Sequence, residues 1–384
     1  MIRKSDIQWW VLEAKKEPET SPEIIEELAK RLIELDAENE RLRNEIIRLQ
    51  MGGIHHTSPA ADSSAEVKAL KRQVEKLQNL LEGEESDEPS LVLLSNRLQS
   101  ARVLLSQAWQ LVRRGNAVLD KRALLGLSGL LLVRSHEELL LLTSQGRGLK
   151  VQSADIPVKG DDSGGWPTTQ GRGLLSDEGL TATITVGRAP RFWTIVTRQG
   201  YVQRYVRAAF DRLLAQGDQI VKSPLRNDVP VAIVNGDRGD MLLITRWGKG
   251  VRFSHRAIEG EGSVALNLDP DDEIIAALVL PNDMEILIVT AGGYAARRDT
   301  TGFAARSRPG GKGKRLVQAH DVLAVFPYTS DTHLLYLTYS GKLVSISTAD
   351  IPLQERASRG VQMRDMSLDP AVAAVLFPQD FPQQ

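Results

Sequence analysis

Between residues 297 and 315, seven basic side chains (Arg297, Arg298, Arg306, Arg308, Lys312, Lys314 and Arg315) stand against a single acid, Asp299. Gly302, Gly310, Gly311 and Gly313 are interspersed among them. Arginine grips a phosphate through two parallel N–H donors, and lysine acts on it as a point charge. Glycine lets the backbone come close and turn its own N–H groups toward the anion. Residues of these types at this density suit the binding of an extended polyanion. Arg246, Lys249, Arg252 and Arg256 form a second cluster, and Arg198, Arg204 and Arg207 a third. Their regular recurrence predicts a basic rim that holds a phosphate backbone without reading sequence and bends it.

Other chemistries find little support. The chain of 384 residues has no cysteine, which removes disulfides, thiolate zinc sites and cysteine nucleophiles. The Gly-Gly-Lys-Gly run lacks the spacing and the strand-to-helix setting of a nucleotide-binding P-loop. Six scattered histidines make no hydrolytic constellation, and His55–His56 in a Gly/Ser/Pro stretch has no third ligand. Asp271 and Asp272 fall in a predicted turn and are expected to be solvated rather than catalytic. No cofactor and no metal is expected. Lys and Arg total 48 against 49 Asp and Glu, a net charge of -1, which excludes a globally basic protein but not a local basic face. The longest apolar run, 123–133, is too short to span a bilayer, and the N-terminal stretch lacks the apolar core of a secretory signal. A cytoplasmic location without membrane association is expected.

The basic residues sit on a repeat. Five copies of an aliphatic run ending Thr-x-x-Gly recur at Thr143–Gly146, Thr197–Gly200, Thr245–Gly248, Thr290–Gly293 and Thr338–Gly341, with Thr-to-Thr steps of 54, 48, 45 and 48 residues. Each reads as a strand, a tight glycine turn and a second strand. Six further aliphatic strands accompany the five hairpins: GLLLV at 129–133, then 181–186, 231–234, 274–280, 322–326 and 371–377. An all-β period of this length predicts a propeller-like ring of five blades, or six if the extra strand closes the ring.

Upstream the pattern is helical. Residues 21–50 carry heptads with Ile25, Leu32, Asn39 and Ile46 at position a and Leu28, Leu35, Leu42 and Leu49 at position d. β-branched residues at a with Leu at d predict a parallel two-stranded coiled coil, and Asn39 fixes its register. Arg31 would face Asp36 of the partner strand and Glu38 would face Arg43. Ser21 followed by Pro22 starts the helix. The predicted organisation is therefore an N-terminal helix and coiled coil over 1–50, a linker over 51–64, helical segments over 65–120 containing an acidic linker at 83–90, and the β domain over 121–384. Within 65–120, Val67, Leu70, Val74, Leu77 and Leu81 form one seam. Leu91, Leu94, Leu98, Ala101, Leu105, Ala108 and Val112 form another, predicting a helix over about 91–118 that ends at Gly115.

The repeat resembles that of the C-terminal DNA-wrapping domain of the DNA gyrase A protein and its topoisomerase IV counterpart. The stretch 289–316 is most similar. Within it, SRPGGKG at 307–313 resembles the seven-residue gyrase box Gln-Arg-Arg-Gly-Gly-Lys-Gly, with Arg308, Gly310, Gly311, Lys312 and Gly313 matching and Ser307 and Pro309 replacing Gln and Arg. RWGKGVRFSHRAI at 246–258 resembles the hairpin of another blade. The resemblance covers about 136–378. It implies a β-pinwheel, a ring of blades exchanging strands, that bends duplex DNA around a basic outer rim. The helical N-terminal part leaves no place for the cleavage core with its catalytic tyrosine, so the expected protein is not an enzyme. It is a sequence-tolerant, nucleoid-associated duplex DNA binder, dimerised in parallel by the coiled coil. A protein-interaction scaffold is the alternative, as is an accessory DNA-binding component working with topoisomerase subunits.

Overall fold

The computed structural model describes residues 88–378 apart from 161–163, 168–172, 188–189, 237–238, 281–283, 302 and 355–357. The chain divides into two units, Met1–Ser86 and Asp87–Gln384. The heptads of 21–50, the seam of 67–81 and His55–His56 lie outside the described residues.

Six antiparallel sheets are present among the described residues. Blade 1 is built from β1 (Ser90–Ser95), β2 (Ser100–Leu104) and β3 (Leu127–Val133), and blade 2 from β4 (Glu138–Thr143), β5 (Gly148–Gln152) and β6 (Leu180–Val186). Blade 3 uses β7 (Phe192–Thr197), β8 (Tyr201–Val206) and β9 (Pro230–Asn235). Blade 4 uses β10 (Asp240–Thr245), β11 (Lys249–Ser254) and β13 (Ile274–Leu280). Blade 5 uses β14 (Glu285–Thr290), β15 (Tyr294–Asp299) and β17 (Val322–Pro327), and blade 6 uses β18 (Thr332–Thr338), β19 (Leu343–Ser347) and β21 (Ala371–Pro378). In each blade the first strand is central, paired with its hairpin mate on one side and with the aliphatic companion that follows it on the other. Each companion thus closes the hairpin before it in the chain, not the one after it.

Central strands are apolar through their middle because water reaches neither face there. Leu139, Leu140, Leu141 and Leu142 of β4 are 0% exposed. Such a run buries side chains into clusters on both sides of the sheet, and each fully buried leucine contributes about 1.5–3 kcal/mol. The companions pack on one another in the order β3, β6, β9, β13, β17, β21 and back to β3, so the six blades close a ring.

The Thr-x-x-Gly turn has the same geometry in every copy. The threonine carbonyl accepts from the glycine N–H, and its hydroxyl accepts from the N–H four residues on, as in Thr143 with Gly146 (2.8 Å) and Arg147 (3.2 Å). Blade 1 has the same turn in disguise. Leu98 N–H donates to the Ser95 carbonyl and Gln99 N–H to the Ser95 hydroxyl, with Leu98 in the glycine's left-handed place at φ 61. This corrects the expected helix over 91–118. Residues 90–104 are a β-hairpin, and only α1 (Leu105–Arg114) is helical, ending at Gly115 in the left-handed conformation. The β domain therefore begins near residue 90 rather than 121, and the sixth companion has its hairpin.

Blades also receive a strand from the next repeat. β12 (Ser263–Val264) pairs with β8, β16 (Lys314–Arg315) with β11, and β20 (Val361–Gln362) with β15. Single bridges do the same for blade 2, through Gln219 to Arg147, and for blade 6, through Ala117 to Lys342. In all five the turn glycine's carbonyl accepts an N–H from the crossing chain, and at blade 6 the donor is Val118, from the chain of blade 1. The crossing backbone comes so close that a Cβ on Gly341 would lie 2.0 Å from the Leu119 carbonyl oxygen, and one on Gly293 2.1 Å from that of Arg364. Glycine is needed there for the left-handed turn and for this approach. α2 (Lys121–Leu124) and α3 (Arg207–Gln216) complete the α-helices among the described residues, and none of them is long and apolar enough to cross a membrane.

Candidate nucleic-acid interface

The predicted basic residues fall into two structural groups. The first lies on the hairpin mates, seven residues after the Thr of the turn. Arg204, Arg252 and Arg297 occupy equivalent register positions on β8, β11 and β15, shared by Arg102 on β2 and Lys150 on β5, which the sequence did not single out, and by Ser345 on β19. Three of them meet an acid from the start of their own central strand. Lys150 pairs with Glu138 at 2.9 Å, Arg252 with Asp240 at 2.9 Å, and Arg297 with Glu285. Arg297 also lies 3.8 Å from the centre of the Tyr328 ring, and the Glu285 hydrogen bond holds its guanidinium above the ordinary range. Where blade 3 has Phe192 in place of an acid, Arg204 lies over that ring and donates to the His255 carbonyl at 3.1 Å. Burial and the nearby charge of Arg256 lower the Arg204 pKa.

Two predicted contacts are corrected by burial. Arg252 is 6% exposed and, besides Asp240, donates to the Thr300 carbonyl at 2.9 Å. Arg298 is 2% exposed and donates to the carbonyls of Leu316 and Ser358. Loss of water pushes its pKa down. Both side chains tie the crossing chain to its blade and are closed to a ligand. Asp272, expected to be solvated, is 8% exposed and caps a turn by accepting the N–H groups of Trp247 and Glu273.

The second group lies on the loop that leaves blade 5 and crosses to blade 4. Arg306 N–H donates to the Arg252 carbonyl at 2.8 Å, Gly310 N–H to Ala265 at 2.8 Å, and the Gly311 carbonyl accepts from Asn267 at 2.9 Å. Lys314 and Arg315 then run along β11 opposite Gly250 and Lys249. Gly310, Gly311 and Gly313 all have positive φ, at 113°, 92° and 68°. A Cβ on Gly311 would strike the Arg306 guanidinium at 2.4 Å, and one on Gly313 the Gly250 carbonyl oxygen at 2.7 Å. The glycines thus let a strapped loop turn tightly while Arg306, Arg308, Lys312 and Lys314 remain exposed. No ion pair joins these four to an acid among the described residues.

Lys249, Lys312 and Arg315 gather around Asp269. The hydrogen bond from Lys249 holds that carboxylate below the usual range, and the charges of Lys312 and Arg315 act in the same direction. Three cations around one anion leave a local positive surplus. At the turn end, Arg198 and Arg246 share Glu273, and on α3 Arg207 pairs with Asp211 at 3.3 Å. Arg256 is exposed beside Arg204. Sequence reasoning did not single out Arg359, which is exposed and 4.4 Å from the centre of the Tyr294 ring, or Arg114, exposed at the end of α1. Their signal is a basic residue directly before the glycine that precedes a crossing strand, as Lys312 precedes Gly313.

Comparison with known proteins agrees with the repeat. Residues 137–165, 239–281, 285–322 and 333–370 match the family described as DNA gyrase C-terminal domain, beta-propeller. The chain is 26% identical over 263 residues to the DNA gyrase A protein of Staphylococcus aureus (strain NCTC 8325 / PS 47), an alignment covering 65% of this chain and 29% of that protein. Its fold is similar to the solved DNA gyrase A C-terminal domain, with a TM-score of 0.61 at 16% identity over 76% of this chain and 100% of that one. The solved C-terminal domain of DNA topoisomerase IV matches with a TM-score of 0.52 at 17% identity, over 76% of this chain and 94% of that one. Both structures support the fold, and the resemblance read from the Thr-x-x-Gly repeat is borne out.

Proposed function

We propose, from the repeats of the DNA gyrase C-terminal family that this chain carries between 137 and 370, that it binds and bends duplex DNA without catalysing a reaction of its own. The observation that carries the proposal is the strapped loop of 306–315, whose exposed cations outnumber the acids near them, Lys312 sharing the single anion Asp269 with Lys249 and Arg315. A polyanion placed there replaces small counterions on several cations at once, a gain insensitive to base sequence. The exposed Arg256 and the half-buried Arg204 extend the same positive field. A coiled coil of 21–50 would place two such domains on one duplex and raise apparent affinity through effective concentration. A second reading is an accessory DNA-binding role beside topoisomerase subunits, motivated by the similarity to the Staphylococcus gyrase protein, of which the chain spans 29%.

The test is duplex binding against salt. Affinity should fall steeply as salt rises, and replacing Arg308 and Lys312 together by Ala should weaken binding about equally on unrelated sequences. No binding at low salt would sink the reading, as would a loss confined to one sequence. Replacing Leu28 and Leu35 by Asp should convert a dimer to a monomer in sedimentation and lower affinity on long duplexes; a monomeric parent chain would overturn the dimer.

A further inference from the structure

The loop of 307–313 is one member of a set. Immediately before each crossing strand stands a glycine in the left-handed conformation: Gly115 (66°), Gly217 (69°), Gly262 (81°), Gly313 (68°) and Gly360 (93°). Two residues after it comes the residue that pairs with the hairpin mate: Ala117 with Lys342, Gln219 with Arg147, Val264 with Tyr201, Arg315 with Lys249 and Gln362 with Tyr294. One residue further, an N–H donates to the turn glycine. The side chains directly before these glycines are therefore equivalent points on five blades. Around the ring they are Gln216 on blade 2, Glu261 on blade 3, Lys312 on blade 4, Arg359 on blade 5 and Arg114 on blade 6, all exposed.

The charges do not alternate. The three cations occupy three consecutive blades, and the neutral and acidic members occupy the two blades before them. The hairpin residues that these crossing strands pair with are mixed. Lys249 meets Asp269 on blade 4, Tyr294 holds the place on blade 5, the exposed Lys342 holds it on blade 6, Tyr201 holds it on blade 3, and on blade 2 Arg147 is held by the buried Glu178 at 2.8 Å.

We infer that the duplex is held along an arc of blades 4, 5 and 6, with Arg359 and Arg114 as phosphate contacts following Lys312, and that it leaves the rim at blade 3, where Glu261 repels it. This rests on the duplex-binding reading above. A phosphate backbone passing three equivalent points makes three spaced contacts, while a carboxylate at the next point opposes the path electrostatically.

The experiment measures affinity and salt slope of the full chain on a long linear duplex. Lys312→Glu, Arg359→Glu and Arg114→Glu should each lower affinity about five- to tenfold and reduce the salt slope by about one to two. Gln216→Glu should change affinity less than about twofold, and Glu261→Lys should raise it about two- to threefold by lengthening the arc. Arg359→Gln and Arg114→Gln, with melting temperature recorded for every variant, separate lost charge from lost fold. Equal losses from Gln216→Glu and Arg359→Glu would overturn the arc in favour of a uniform rim. Unchanged affinity for both arginine reversals beside a loss for Lys312→Glu would reduce the interface to one loop. A parent chain that does not bind at all is a different result, and it removes the duplex-binding reading itself.

Discussion

The hairpin mates and the loops that cross to them both carry arginine and lysine, but they use them differently. On the hairpin mates the basic residue meets an acid from the adjoining strand, as Arg252 meets Asp240 and Arg297 meets Glu285. These cations are spent on holding the blade together. On the crossing loops Lys312, Arg359 and Arg114 each stand before a glycine and are exposed. A run of positive charge in sequence thus mixes two populations, and pairing rather than count separates them. A surface ion pair is worth little in stability, whereas a buried arginine stripped of its partner is costly to the fold.

That contrast can be broken by substitution. The largest effect is expected at Arg252. Arg252→Ala should cost about 3 kcal/mol because it leaves Asp240 partly buried without its counter-charge. Urea unfolding checks this, and at a temperature where the variant is folded its duplex affinity should be near that of the parent. Gly341→Ala should cost about 2–3 kcal/mol, since a methyl group meets both a left-handed φ and the Leu119 carbonyl oxygen. Hydrogen exchange should localise its loosening to blades 1 and 6.

A smaller effect, of opposite sign, is expected from Asp269→Asn. Removing the anion among Lys249, Lys312 and Arg315 should raise duplex affinity about two- to fivefold. Because the folded-state pKa of Asp269 is depressed, its contribution to stability is present above the ordinary carboxylate pKa and is lost as pH falls through the depressed one. The affinity difference between parent and variant should narrow over the same acidic range. The smallest effect belongs to Arg207→Ala, which removes an exposed pair with Asp211 and should change stability by less than about 0.5 kcal/mol.

Much of the ring was legible because glycine is hard to replace where a second backbone crosses it. Five turns announce themselves as Thr-x-x-Gly for that reason. The sixth did not, because Ser95 and Leu98 stand in those places, and the segment 157–159 that crosses to β2 bridges it at Arg102, away from the turn. With both faces of β1 buried, its leucines form an unbroken apolar run whose spacing also fits a helix. The surplus companion strand and the interval of 48 residues between Ser95 and Thr143 were the available signals. In the interface, the loop of 306–315 was legible as a dense charge run with glycines. The burial of Arg298 was not, because Arg297 and Arg298 are adjacent in sequence yet lie on opposite faces of β15. Arg359 and Arg114 lie outside any dense charge run and were visible only as members of a structural series.

Ring closure has a consequence for how the chain comes to be folded. Val118 is made early and its hydrogen-bond acceptor, Gly341, more than 200 residues later. During synthesis blade 1 must keep its crossing segment unpaired while four further blades assemble, and the last hairpin then has to find it. The contact is among the most distant in sequence that the domain makes, and bringing such ends together slows the final step. Until then blade 6 presents an open strand edge, a stage at which encounters between nascent chains can divert the segment into a neighbour's ring.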